Sequence, residues 1–155
     1  MNPLSFDLPN PEATAVFGRR LGELLFPGAV VALVGTLGAG KTHLVRAIAE
    51  GLGLRDGRVV SSPTFGLIHE YPARLPVYHF DVYRLRTIAE FIDLGAHEYF
   101  DAGGVCLIEW ADKVESCLPA EYLRIEIEVT GETSRRATIM GVGERYQQLV
   151  AKLRD

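Results

Sequence analysis

Cysteine is scarce in this chain, with Cys106 and Cys117 as the two among 155 residues. Two thiols without metal-like spacing exclude a disulfide framework and a thiolate zinc site. Cys106 lies in the apolar run Val105–Ile108 and reads as a small core residue. Basic residues are outnumbered, 16 Lys+Arg against 20 Asp+Glu, for a net charge of −4. That balance argues against a protein that grips nucleic acid through a basic surface of its own. Long apolar runs are missing too. Ala29–Val34 is far too short to span a bilayer. Residues 1–10 carry Asp7 and two prolines in place of a basic-then-apolar leader. The expectation is a chain with no membrane association and a cytoplasmic location. Repeats, linkers and low-complexity tracts are not seen, which points to a single domain over 1–155.

What is present suits an ordinary globular core: 48% apolar residues, 23% charged residues and a mean hydropathy of +0.12. A chain of this length buries about two-thirds of the surface its unfolded form exposes. Charge is unevenly placed. Residues 87–128 hold ten acids and two bases, whereas 134–155 hold five bases and two acids. These are two solvated faces, or an acidic docking surface for a basic partner.

Asn10-Pro11-Glu12 marks a helix start, with an N-cap, a proline in the first turn and an acid near the positive end of the dipole. Apolar residues follow at helical spacing until Pro27-Gly28. Ala29–Val34 predicts a strand buried on both faces, and Thr42–Leu52 a helix ended by Gly53. Short strands are expected at Val59-Val60, Leu67–Tyr71 and Val77–Val82, helices at Thr87–Leu94 and Ala96–Phe100, and a second buried strand at Val105–Ile108. Tyr122–Val129 alternates apolar and charged residues and pairs across a turn with Ala137–Val142, before a terminal helix over Glu144–Leu153. The resulting class is α/β: a mostly parallel central sheet flanked by helices, with a C-terminal antiparallel strand pair.

Gly35-Thr36-Leu37-Gly38-Ala39-Gly40-Lys41-Thr42 matches G-x-x-x-x-G-K-[ST] between the predicted strand and helix. Residue frequencies would give that pattern only ~0.003 times in such a chain. Glycines let backbone N–H groups turn inward around an anion, and the helix N-terminus adds partial positive charge. Lys41 is placed for the β- and γ-phosphates and Thr42 for Mg²⁺. Lysine is itself rare here, three against thirteen arginines, so its place in the motif is no accident of composition.

A phosphate loop needs a carboxylate at the end of a neighbouring buried strand to hold the metal or orient the attacking water. Glu109, after four apolar residues, has that position. Asp101-Ala102-Gly103-Gly104 fits D-x-x-G but precedes its strand, at the wrong edge of the sheet. In His79-Phe80-Asp81-Val82-Tyr83-Arg84, residues His79, Asp81 and Tyr83 share one face of an extended segment. Asp81 is therefore a second candidate for the metal shell or the water, or else a partner of Arg84 or Arg86. His79 reads as a hydrogen-bonded neighbour of the site. Ser61-Ser62-Pro63-Thr64-Phe65 is a plain turn or a loop sensing the γ-phosphate, with Thr64 as a further hydroxyl. Trp110 is a core aromatic or a rim residue of the site. The only asparagines, Asn2 and Asn10, precede the phosphate loop, so the N-K-x-D signature of guanine-specific GTPases is absent.

Together these segments, with Leu94-Gly95 leading to Glu98-Tyr99-Phe100 and Leu107-Ile108-Glu109-Trp110, resemble the bacterial TsaE (YjeE) family over nearly the whole chain. The resemblance implies a phosphate-loop NTPase fold that binds ATP with Mg²⁺ and hydrolyses it slowly alone. It implies association with the TsaB–TsaD pair, which transfers threonylcarbamoyl to a tRNA adenosine, and contact with tRNA only through that complex. Carried over by position, the loop residues Gly35, Leu37, Gly38, Ala39, Gly40, Lys41 and Thr42 bind the nucleotide. Thr42, Asp81 and Glu109 serve metal, and Asp81 and Glu109 serve hydrolysis; Lys41 from the phosphate motif and Thr64 from its place in the Ser61–Phe65 segment join them as catalytic candidates. Trp110 belongs to the site, and Thr14 and Arg135 match positions near the adenine. One departure is His43, where the family often has a second threonine. Its ring, or its backbone N–H, would then reach the phosphates. Two rival readings stay open: a small-molecule kinase with Arg84, Arg86 and Arg135 near an acceptor, and a nucleotide-dependent interaction module.

Overall fold

Alternate residues of Val30–Leu33 enter two different cores: Val31 and Leu33 pack on one side of the sheet, Val30 and Ala32 on the other. That is why the run is continuously apolar. The computed structural model describes residues 3–36, 38–63 and 68–154. In chain order they form β1 (Leu4–Leu8), α1 (Pro11–Leu24), β2 (Val30–Gly35), α2 (Lys41–Gly51), β3 (Ile68–Tyr71), β4 (Val77–Asp81), α3 (Ile88–Asp93), α4 (Ala96–Phe100), β5 (Val105–Glu109), β6 (Tyr122–Val129), β7 (Arg135–Val142) and α5 (Glu144–Arg154). Two 3₁₀ segments, Gly57–Val59 and Ala111–Cys117, complete the elements.

The strands make one seven-stranded sheet in the order β1-β7-β6-β2-β5-β4-β3. The four central strands, β6-β2-β5-β4, are parallel, and antiparallel partners close both edges. The α/β class and the β6–β7 pair agree with the sequence. The parallel centre agrees as well, and β1 and β3 make the whole sheet mixed by adding antiparallel pairs at its two edges. Helices α1, α2 and α5 cover the larger core, and α3, α4 and the 3₁₀ segment Ala111–Cys117 the smaller one.

Helix starts follow the sequence signals. The Asn10 side chain accepts from the Ala13 N–H at 2.8 Å, and Thr87 caps α3 through the Glu90 N–H at 3.3 Å. Helices α1 and α2 meet through glycines: a Cβ on Gly22 would lie 2.2 Å from the Ile48 carbonyl oxygen, and one on Gly51 2.1 Å from that of Arg19. One expectation fails locally, and one strand was not expected. Val59-Val60 is not a strand, because the Asp56 side chain accepts from the Arg58 N–H at 3.0 Å and winds Gly57–Val59 into a 3₁₀ turn. Residues 4–8 form an edge strand that pairs with β7.

Candidate functional site

The chain leaves β2 at Gly35 and enters α2 at Lys41. Gly38 and Gly40 hold φ at +81° and +97°, in the left-handed region that costs side-chain-bearing residues energy. Helix α2 therefore starts on the loop, with its first N–H groups facing the loop's concavity. Arg135, the first residue of β7, fixes the loop from behind. Its Nε donates to the Ala39 carbonyl at 2.9 Å and its Nη1 to the Ser134 and Gly131 carbonyls at 2.8 and 3.2 Å. Loop carbonyls are thus turned toward the guanidinium.

Lys41 is 5% exposed. Its Nζ donates to the carbonyls of Gly35 and Thr36 at 2.7 and 2.9 Å, and lies 3.9 Å from the centroid of the Trp110 ring. Burial lowers its pKa below the ordinary lysine value, against the opposing pull of the Glu109, Asp81 and Asp112 carboxylates. An anion in the loop would supply the charge that burial denies this ammonium.

Parallel pairing sets Asp81 directly beside Glu109 at the C-terminal ends of β4 and β5, and Leu33 of β2 beside Glu109 on the other side. Open parallel sheets place ligand sites at this edge. Glu109 is 3% exposed. Both its carboxylate oxygens lie 3.0 Å from the Thr42 hydroxyl, and Oε2 accepts from His79 Nε2 at 2.5 Å. Asp81 accepts from the Ser62 hydroxyl and, through Oδ1, from the Tyr83 N–H at 3.0 Å. Asp101 caps the C-terminal end of α4, before β5 begins, at the opposite edge from Glu109.

Gly38, Ala39, Gly40, Lys41, Thr42, His43, Asp81, Glu109 and Trp110 converge on one cleft of about 440 Å³, rimmed by Ser62, Tyr83 and Arg84. A second hollow of about 270 Å³ adjoins it over Thr14, His43 and Arg135. The predicted site residues are therefore brought together, except Leu37 and Thr64, which lie outside the described residues. His43 Nε2 donates to the Pro11 carbonyl at 3.2 Å, which ties α2 to the first turn of α1. Trp110 has φ +63°, the one positive value at a non-glycine position among the described residues. A bulky residue held there carries strain that clusters at functional sites. Its ring packs on Tyr83 with centroids 4.7 Å apart. Tyr83 lies past the end of β4 and is 45% exposed, so only His79 and Asp81 share the strand face.

Sequence reasoning missed Tyr71. Its hydroxyl accepts from the Ser61 N–H at 3.3 Å, donates to the Ser61 carbonyl at 3.2 Å and lies 3.3 Å from His79 Nδ1. No spacing signal marks that residue. His79 did carry one: an imidazole in the apolar run Val77–Val82 must find partners once buried.

A buried strand ending in a glycine loop, a helix opening on Lys-Thr, and a carboxylate closing the next parallel strand define a phosphate-loop NTPase-like protein of the α/β class. Comparisons narrow the class. The family model for "Threonylcarbamoyl adenosine biosynthesis protein TsaE" matches residues 8–137. The "tRNA threonylcarbamoyladenosine biosynthesis protein TsaE" of Bacillus subtilis (strain 168) is 45% identical over 154 residues, covering 99% of this chain and 95% of the relative. The protein of the same description from Treponema pallidum (strain Nichols) is 44% identical over 126 residues, covering 81% and 92%. A crystal structure described as Bacillus subtilis YdiB is similar with a TM-score of 0.81 at 38% identity, covering 98% of this chain and 94% of that one. The chain belongs to the TsaE family.

Proposed function

We propose that this chain binds ATP with Mg²⁺ and hydrolyses it slowly as a component of the machinery that makes threonylcarbamoyladenosine in tRNA. In that role it supports turnover of the TsaB–TsaD pair, meets tRNA through that complex and works in the cytoplasm. The relatives' descriptions supply the pathway. The observation that carries the nucleotide chemistry is the Thr42 hydroxyl bonded to both oxygens of buried Glu109 at the mouth of the phosphate loop.

The donor set fits magnesium. Mg²⁺ prefers oxygen ligands and is usually held by one or two carboxylates together with substrate phosphates, not by an all-protein cage. Thr42, Glu109 and Asp81 offer only oxygens, and among the described residues no group of three His, Cys, Asp or Glu side chains could hold a metal by itself. Magnesium there would neutralise phosphate charge as it develops in the transition state. The residues do the rest. Backbone N–H groups of the loop and of the first turn of α2 wrap the phosphates. Lys41 moves its donor hydrogens from the Gly35 and Thr36 carbonyls to phosphate oxygens. Asp81 and Glu109 accept hydrogen bonds from the attacking water and hold it in line. Thr14 and Arg135 line the adjoining hollow, where the adenine is expected to sit.

Calorimetric titration with ATP tests this. Binding tightened by Mg²⁺ and abolished in Lys41→Ala is the expected result. Equal affinity in Lys41→Ala and wild type would remove the phosphate loop from the function.

A further inference from the structure

Glu109 sits at the end of a strand whose five residues are all buried, and its carboxylate must be held by side chains. From the cleft side the Thr42 hydroxyl reaches both oxygens. From beneath, one donor reaches Oε2: Nε2 of His79, at 2.5 Å, from a ring that is 0% exposed. A carboxylate oxygen accepts, so Nε2 carries the hydrogen in this bond. The other ring nitrogen, Nδ1, lies 3.3 Å from the Tyr71 hydroxyl. Tyr71 is itself pinned to both backbone groups of Ser61 and lies 3.1 Å from His69 Nδ1. The buried imidazole thus lies between the Glu109 carboxylate on one side and Tyr71 on the other, where the two ring centroids are 6.0 Å apart.

We infer that His79 is a positioning residue that locks the Glu109 carboxylate in its orientation toward Thr42, with Tyr71 as the brace behind it. The inference rests on the proposed role of Glu109 in binding Mg²⁺. Loss of the Nε2 donor leaves a buried carboxylate with one partner fewer, free to rotate away from the phosphate loop. Residues that orient a metal's ligands typically change its affinity by about 10- to 100-fold when mutated. Among the described residues neither His79 nor Tyr71 lines the phosphate-loop cleft, so metal-free nucleotide binding should be retained when His79 is changed.

The test measures binding of a non-hydrolysable ATP analogue by calorimetry, in EDTA and across a Mg²⁺ titration, for wild type, His79→Leu, His79→Gln and His79→Asn. In EDTA the variants should bind the analogue within about 2-fold of wild type. The Mg²⁺ concentration that gives half of the metal-dependent tightening should rise about 10- to 100-fold in His79→Leu. His79→Gln, whose amide N–H reaches as far as Nε2, should recover most of that loss, and the shorter Asn should not. If His79→Leu does not fold, the Gln–Asn contrast carries the test. Wild-type Mg²⁺ dependence in Leu and Asn variants overturns the inference while leaving the metal site standing. Equal weakening with and without Mg²⁺ overturns it too, because that is a structural role alone. A wild-type protein whose analogue binding ignores Mg²⁺ refutes the metal site itself and the inference with it.

Discussion

Replacing Gly22 by alanine sets two effects against each other. Glycine inside a helix is disfavoured by about 1 kcal/mol relative to alanine, so propensity alone predicts a stabilised α1. The packing predicts the reverse. The added Cβ would stand 2.2 Å from the Ile48 carbonyl oxygen and 2.9 Å from Gly51 Cα, both backbone atoms. No rotamer change clears them. Relief requires α1 and α2 to separate by roughly 1 Å, which opens gaps among Phe17, Leu21, Leu44 and Ile48 and forfeits a quarter to a half of each affected contact. Overpacking costs about 1–3 kcal/mol, and backbone-limited cases lie at the top of that range. The net cost is about 2 kcal/mol, which lowers Tm by about 4–8 °C in a domain of this size. Gly51→Ala meets the Arg19 carbonyl at 2.1 Å across the same seam. Once one Cβ has parted the helices the second fits more easily, so the double variant should lose less than the sum of the singles. Thermal melts and a double-mutant cycle decide. A Gly22→Ala protein as stable as wild type or more so, or strictly additive losses, would refute the close-packed seam.

Lys41 gives a pH dependence. Its folded-state pKa is lowered by burial, so the ammonium weakens the fold below that value, and the cost is lifted as pH rises toward the ordinary lysine value. Phosphates favour the charged form, so ATP affinity should fall with rising pH across the same window, with proton uptake on binding. Affinity flat up to the ordinary lysine range would contradict this. Cys106 has a thiol pushed up to about 12 by burial, whereas Cys117 is partly exposed. An alkylating reagent at pH 8 should modify one thiol in the native protein and two after denaturation. Two fast thiols in the folded state would show the core to be wrong. Trp110, the sole tryptophan, stacks on the Lys41 ammonium, so its emission should change on ATP binding, and Lys41→Ala should alter the starting spectrum and abolish the response. Identical spectra in all four conditions would place the ring elsewhere.

The phosphate loop and its flanking elements were legible because each of their residue types has a local cause. Glycine at positive φ, a β-branched run buried on both faces, and an acid closing such a run are all visible in one dimension. The position of Glu109 follows from the same logic, since an acid that closes a fully apolar strand lies at the C-terminal edge of the sheet, where open parallel sheets place ligand sites. Residues 4–8 carried a readable signal as well: Leu4, Phe6 and Leu8 alternate with Ser5 and Asp7, the period of a half-covered strand. The Tyr71 brace had no such trace. It depends on β3 and β4 pairing antiparallel, which sets His69 opposite His79 and brings Tyr71, two residues on, against the imidazole. Register of that kind is tertiary information. So is the place of Arg135, whose clamp on Ala39 spans 96 positions of sequence. His43 adds a contact of the same kind: it lines the cleft as its place beside Thr42 suggests, and the packing of α1 on α2 also brings its Nε2 to the Pro11 carbonyl, 32 positions away in sequence.

The most direct measurement of the proposed function is the steady-state rate of ATP hydrolysis by the purified chain, alone and with its TsaB–TsaD pair, with Lys41→Ala as the blank. A low basal rate that the pair raises, with both lost in Glu109→Gln, is the expected result. A rate indifferent to the pair, or one that survives in Lys41→Ala, would contradict it.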